Sequence, residues 1–282
     1  MKNQKHVKTN GRMGLSSFGK ALYETKYLCK KQKQNGMKGG SIIIVDKHEF
    51  DIISSDPDDE CDCIEIIING TDSNKCFLGL IYSNDETNMI LQGFGYSQTC
   101  TTNKRMESGK GTKAMFYALK EYVKKYHPKV NKISLEDGSS FRCLYEGRTI
   151  NFDLYSYYML KYGKPYYMKN FEFKFSDKKQ EKLYDENLSH IKKNLIINGS
   201  ILNKYADYMK LRYNVNSDKL TKFNEIVLDK DLKNIVKTDY KPNNKPCCLY
   251  LFALIDYYMS HVFSLQYKEK FSVQYACFEL DI

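Results

Sequence analysis

The sequence predicts an α/β fold, a mixed sheet followed by a mainly helical C-terminal extension, and three observations carry that prediction. From Ser41 to about Ser97, short runs rich in Ile alternate with polar turns, which is the rhythm of strands. Residues 112–126 (TKAMFYALKEYVKKY) set Met115, Ala118, Leu119, Tyr122, Val123 and Tyr126 at helical spacing, and the strand-like VNKISLED follows Pro128. A helix between two strands is the usual crossover between parallel neighbours. After Ser176 the turn-and-strand rhythm gives way to charged helical segments.

The elements follow in order. SIIIVDKHEFDII, entered through Gly39 and Gly40, reads as a buried strand continuing into a second extended piece. SSDPDDE is an acidic turn, and CDCIEIIING alternates so that Ile64, Ile66 and Ile68 share a face. CFLGLIYS and NMILQGFGYS straddle a polar turn at residues 84–88 as an antiparallel hairpin. Beyond the crossover, LYSYYMLKYGKPYYMKNFEFKF predicts a short helix stopped near Gly163 and Pro165, then an extended piece from Phe171 to Phe175. Helical segments follow over roughly 176–197, 201–214 and 219–236, with KTDYKPNNKP as a linker. CCLYLFALIDYYMSHVFSLQY reads as an apolar helix of a folded domain, because Asp256 and His261 interrupt it, so no membrane span is expected. FSVQYACFEL closes the chain as a strand. The organisation expected is a basic arm over 1–40, an α/β domain over 41–175 and a mainly helical extension over 176–282.

Composition bounds the function. In 282 residues, 42% hydrophobic content and 24 Tyr with 15 Phe against 5 Pro exclude a collagen-like, mucin-like or wholly disordered chain. The nine cysteines are odd in number and irregularly spaced, and no apolar stretch follows the basic start, so reduced thiols and an intracellular protein are expected, in cytoplasm, nucleus or a virion. Charge is concentrated at one end. Residues 1–40 hold ten Lys or Arg against Glu24 alone, whereas the other 242 residues carry 34 basic and 33 acidic side chains. Such an arm suits a solubilising terminus, an acidic protein face or nonspecific contact with nucleic acid.

The sequence Glu107-Ser108-Gly109-Lys110-Gly111-Thr112 stands directly before the amphipathic helix. A helix start exposes unpaired N–H groups and the positive end of the dipole, and glycines let a phosphate approach that backbone. The spacing is neither a P-loop nor a dinucleotide fingerprint. A plain strand-to-helix turn explains the same glycines.

Here the chain resembles the GCN5-related N-acetyltransferase superfamily. That family carries a Gln/Arg-x-x-Gly-x-Gly/Ala loop at a helix start, and Gly109 and Gly111 take the glycine positions, with Met106 in the first place and Arg105 beside it. A later Y-x-K-x-G-F segment of the family is similar to Tyr167-Met168-Lys169-Asn170-Phe171-Glu172-Phe173. The resemblance covers about residues 41–175. It implies an acyltransferase-like sheet and acetyl-CoA held by Arg105, Gly109, Lys110, Gly111 and Thr112. It also implies a splay between NMILQGFGYS and KISLED that takes the pantetheine. Tyr167 would then be the general acid for the leaving thiolate. Glu136, or water directly, would accept the proton of an attacking amine. The alternative is a catalytically inactive structural or interaction protein of a large assembly, viral in one version, whose arm contacts nucleic acid or an acidic partner.

Other constellations point to the fold instead. Cys61-x-Cys63 and Cys247-Cys248 have poor zinc spacing, and His6, His48, His127, His190 and His261 are scattered, so no metal is expected. Cys143 with His190 or His261 would need tertiary proximity to act as a nucleophilic pair. Asp56 to Glu60 lacks the spacing of a calcium loop. The tyrosine run from Tyr155 to Tyr167, beside Lys161 and Lys164, suits a core or protein interface better than a stacking platform for single strands.

Overall fold

A computed structural model describes residues 37–55, 62–69, 75–95, 99–103, 105–106, 110–238, 245–264 and 276–282. Of the arm expected over 1–40, residues 1–36 lie outside the described residues and 37–40 belong to a strand, and Gly109 and residues 56–60 of the acidic turn also lie outside.

The architecture is α/β, with a mixed sheet of eight strands and a mainly helical C-terminal region. The first five strands, β1 (Met37–Val45), β2 (His48–Ser55), β3 (Cys63–Asn69), β4 (Lys75–Tyr82) and β5 (Asp85–Phe94), form an antiparallel meander. The two extended pieces expected of SIIIVDKHEFDII are thus the arms of a hairpin, although Ile42 and Ile44 of the first are exposed and not buried. The hairpin turn is made by Asp46 and Lys47, both at positive φ (49° and 66°), a two-residue geometry matched to strand twist but lacking the glycine that would announce it. In β3, Ile66 and Ile68 are fully buried on one face while Ile67, on the other, is buried as well.

Helix α1 (Lys110–Tyr126) then crosses to β6 (Lys132–Glu136), which pairs parallel to β5. Its buried side is the predicted stripe without Tyr126, which is exposed, and extended by Ala114 and Phe116; Lys124 and Lys125 lie in the last turn, where cations complement the dipole. Tyr122 Oη donates to Ser54 Oγ at 2.9 Å, fixing the helix across β2. Burying a side chain the size of Phe116, 2% exposed, stabilises the fold by about 1.5–3 kcal/mol.

Beyond β6 comes a separate hairpin that the sequence reading leaves unassigned, β7 (Ser140–Tyr145) and β8 (Arg148–Asp153), turned at Glu146-Gly147 with φ of 48° and 74°. Helix α2 (Leu154–Tyr162) starts on an Asp153 cap and stops at Gly163 in the left-handed conformation. A second short helix, α3 (Tyr166–Phe171), follows and takes Phe171, and of the piece expected to be extended from Phe171 to Phe175 only Lys174–Phe175 forms a strand, β9. The helical region holds α4 (Lys178–Ile191), α5 (Gly199–Tyr213), α6 (Thr221–Val227), α7 (Leu232–Lys237) and α8 (Lys245–Tyr257), the last running into a π-helical turn at Tyr258–Phe263. Strand β10 (Cys277–Asp281) returns to the sheet between β6 and β9, antiparallel to both. Residues 176–276 are thus inserted between two adjacent strands. Among the described residues no helix is long and apolar enough to cross a membrane.

The expectation of reduced thiols is corrected. Cys76 is bonded to Cys100 and Cys143 to Cys248, and Cys63 is also disulfide-bonded. The second bridge spans 105 residues and ties β7 to α8. Pairing depends on Cα atoms brought within about 7 Å by the fold, which irregular spacing along the chain does not reveal.

Candidate functional site

The parallel pair creates the site. Residues Asn88 to Leu91 of β5 pair with Lys132 to Leu135 of β6, and beyond Leu91 and Leu135 the two strands pair no further. Each stays bonded to its outer neighbour: Phe94 opposes Phe77 of β4, and Glu136 opposes Cys277 of β10. Two strands held from outside but released from each other leave a wedge at their carboxyl ends. A cleft of about 710 Å³ occupies that position.

Its walls come from distant parts of the chain. Strand β5 gives Gln92 to Gly95, the start of α1 gives Thr112 and Lys113, and the end of β6 gives Glu136, Gly138 and Ser139. Helices α2 and α3 add Tyr157, Tyr158, Tyr166, Tyr167 and Asn170, and α8 adds Phe252. An aromatic cluster holds this geometry: Phe171 lies 4.9 Å from Phe116 and 5.4 Å from Phe94, and Tyr167 lies 5.8 Å from Phe173. Ring contacts of this kind fix α3 against both the sheet and α1.

Of the residues singled out in the sequence, Thr112, Glu136 and Tyr167 meet in the cleft. Tyr167 is only 7% exposed, and its hydroxyl is pushed well above the ordinary phenol range by burial, then by the charge of Asp137 and by Tyr166. Burial also raises the Glu136 carboxyl. Arg105 and Lys110 are exposed and are not among the lining residues. Gly111 is buried with a packing reason of its own, since a Cβ there would overlap Met106 Cγ, and Met106 is 2% exposed. Gly109 lies outside the described residues.

Polar residues that line the cleft, or that adjoin lining residues along the chain, were missed in the sequence. Gln92 lines the cleft with its Nε2 buried and making no hydrogen bond. Asp137 is 8% exposed; its Oδ1 accepts from the Ser139 amide at 2.8 Å, whereas Oδ2 is buried and completes no hydrogen bond. Asp153 caps α2 through the Tyr155 amide at 2.8 Å, and its carboxyl is pushed up to about 6, chiefly by burial and further by Asp137 and Asp256. The legible signal was an acid followed by Gly-Ser-Ser at the end of the strand after a crossover. That is where ligands meet open α/β sheets. Among the described residues no group of three or more His, Cys, Asp or Glu is placed to hold a metal ion.

Comparison with family models, curated proteins and solved structures yields no match, so the functional reading rests on the geometry of the cleft.

Proposed function

We propose that the chain is an acetyl-CoA-dependent N-acyltransferase acting on an amine, with the cofactor in the wedge between β5 and β6. One observation carries the reading. The released carboxyl ends of the parallel pair, the N-terminus of a 17-residue helix, a buried tyrosine and a carboxylate all border the same cleft. The chemistry suits such a place. Backbone amides at the ends of parted strands polarise a thioester carbonyl, and the helix start favours the anionic end of the cofactor. Tyr167 protonates the departing thiolate, and Glu136 takes the proton of the attacking amine. The resemblance of residues 106–111 to a pyrophosphate loop adds support, although Gly111 is also explained by Met106.

Calorimetric titration of acetyl-CoA tests this. Gly111 is a poor place for a blocking carboxylate because of Met106, but Gly95 lines the cleft and an added Cβ there meets nothing within 4 Å. Saturable binding to the wild type that Gly95→Asp weakens at least about tenfold, while Gly95→Asn weakens it less, supports the proposal. Absence of binding to the folded wild type refutes it.

A structural or interaction role is favoured by a different observation. Strand β1 ends the sheet, and Ile42 and Ile44 on it are 62% and 64% exposed. An apolar edge of that kind suits contact with another protein.

A further inference from the structure

Gln92 of β5 opposes no residue on either neighbouring strand. Leu78 of β4 faces Gly93 and Gly79 faces Leu91, so one step on β4 meets two on β5 and Gln92 is the extra residue. On the other side, pairing with β6 ends at Leu91 and Leu135, one residue before Gln92. A bulge of this kind bends its strand and re-aims the side chain it carries. The Gln92 side chain lines the cleft, and its Nε2 is buried without a hydrogen bond. An amide N–H shut off from water and left unpaired costs stability, so buried donors in folded chains nearly always have an acceptor. Here a ligand in the cleft supplies it.

Position names that acceptor. Gln92 is the first residue beyond the last β5–β6 pair and Glu136 holds the same place on β6, so the two stand across the apex of the wedge, and both line the cleft. In the acyl-transfer reading Glu136 takes the proton of the attacking amine, which places the carbon under attack beside it. The acceptor on that carbon, and the atom that gains charge as the new bond forms, is the carbonyl oxygen. A neutral donor suits this place. A cation there would stabilise the Glu136 carboxylate and weaken it as a base, whereas an amide leaves intact the rise that burial gives its carboxyl.

We propose that Gln92 is a catalytic residue whose side-chain amide donates a hydrogen bond to the carbonyl oxygen of the acyl thioester. This rests on the acyl-transfer reading of the cleft. In the step, the amine nitrogen adds to the carbonyl carbon and the π pair moves onto oxygen, where Gln92 Nε2 and the backbone amides hold the charge. Glu136 takes the proton from nitrogen. The electron pair on oxygen then returns, the carbon–sulfur bond breaks, and the Tyr167 proton passes to sulfur. Glu136 releases its proton to solvent and Tyr167 takes one back, so the net transfer is one proton from nitrogen to sulfur. Gln92 itself is unchanged.

Two ligands titrated by calorimetry into the full chain test this without an acceptor: acetyl-CoA, and S-ethyl-CoA, which has a methylene in place of the carbonyl. The wild type is expected to bind acetyl-CoA more tightly. Gln92→Leu and Gln92→Glu are each expected to shrink that preference about two- to tenfold, chiefly by weakening acetyl-CoA. With acetyl-CoA labelled by heavy carbon at the carbonyl, the infrared band of the bound thioester lies at lower wavenumber in the wild type than in either variant, because a hydrogen bond weakens the carbon–oxygen double bond. A Gln92 that only fills space weakens both ligands alike and leaves the band in place. Equal affinity of the wild type for the two ligands, an unchanged preference in the variants, or an unmoved band overturns the proposal. If Gln92→Leu does not fold, Gln92→Glu, which keeps the side-chain shape and replaces the donor by an acceptor, decides. Acetyl-CoA binding without these differences refutes the role of Gln92 alone, whereas no binding to the folded wild type removes the thioester and the proposal falls with the cofactor reading.

Discussion

Replacing Gly111 by alanine decides why a glycine stands at the start of α1. In an open helix the change stabilises a protein by about 0.4–1 kcal/mol, because alanine has less unfolded-state freedom to lose. Here the new Cβ overlaps Met106 Cγ, with Met106 Sδ at 3.2 Å and its Cβ at 3.5 Å. Forcing one carbon into a packed site costs about 1–3 kcal/mol, and the flexible Met106 side chain keeps the cost toward the low end. Gly111→Ala alone is thus expected to destabilise by about 0.5–2 kcal/mol. In a Met106→Ala background the obstruction is gone, and the same change is expected to stabilise by about 0.4–1 kcal/mol. Urea unfolding of the four proteins in the cycle reads this reversal of sign, with unchanged slopes confirming comparable folded states. Gly111→Ala stabilising the protein in both backgrounds would refute the packing account. It would leave close approach of a ligand and the strand-to-helix turn as the explanations for the glycine.

Two further outcomes follow from the structure. Replacing Cys143 and Cys248 together by serine is expected to lower stability by about 2–4 kcal/mol in urea, because the bridge closes a 105-residue separation; unchanged stability would mean the bond does not form in solution. Asp153, whose folded carboxyl is raised to about 6, stays protonated in the folded chain while its unfolded counterpart ionises near 4, so it costs stability as pH rises through that window. Asp153→Asn should therefore gain stability relative to wild type between pH 4 and pH 7, and a parallel pH dependence of the two proteins in urea melts would contradict this.

What the sequence made legible is the part governed by periodicity. The helix on residues 112–126, the antiparallel pairing of CFLGLIYS with NMILQGFGYS and the stop at Gly163 each depend on local spacing and backbone preference and each is present, although the hairpin turns at 83–84 with residues 85–88 already in β5, and Tyr126 is exposed. The misses share a different cause. Asp46-Lys47 makes its tight turn without glycine, and β8 buries only Phe152, so neither carries a strong local signal. The disulfides and the polar lining of the cleft depend on tertiary proximity. Asp137 reads as the tail of a strand, and only the return of β10 beside β6 buries it. Tyr167 and Thr112 were legible through a motif likeness, whereas Gln92 and Ser139 had no motif to mark them.

The central claim is that the wedge between β5 and β6 takes acetyl-CoA, and amide hydrogen exchange read by mass spectrometry, with and without the cofactor, tests it most directly. The account predicts slowed exchange at residues 91–95, 110–113, 135–140 and 166–170, and little change in α5, α6 and α7. Unchanged exchange in those four segments at saturating acetyl-CoA, or protection confined to the helical region, would contradict it.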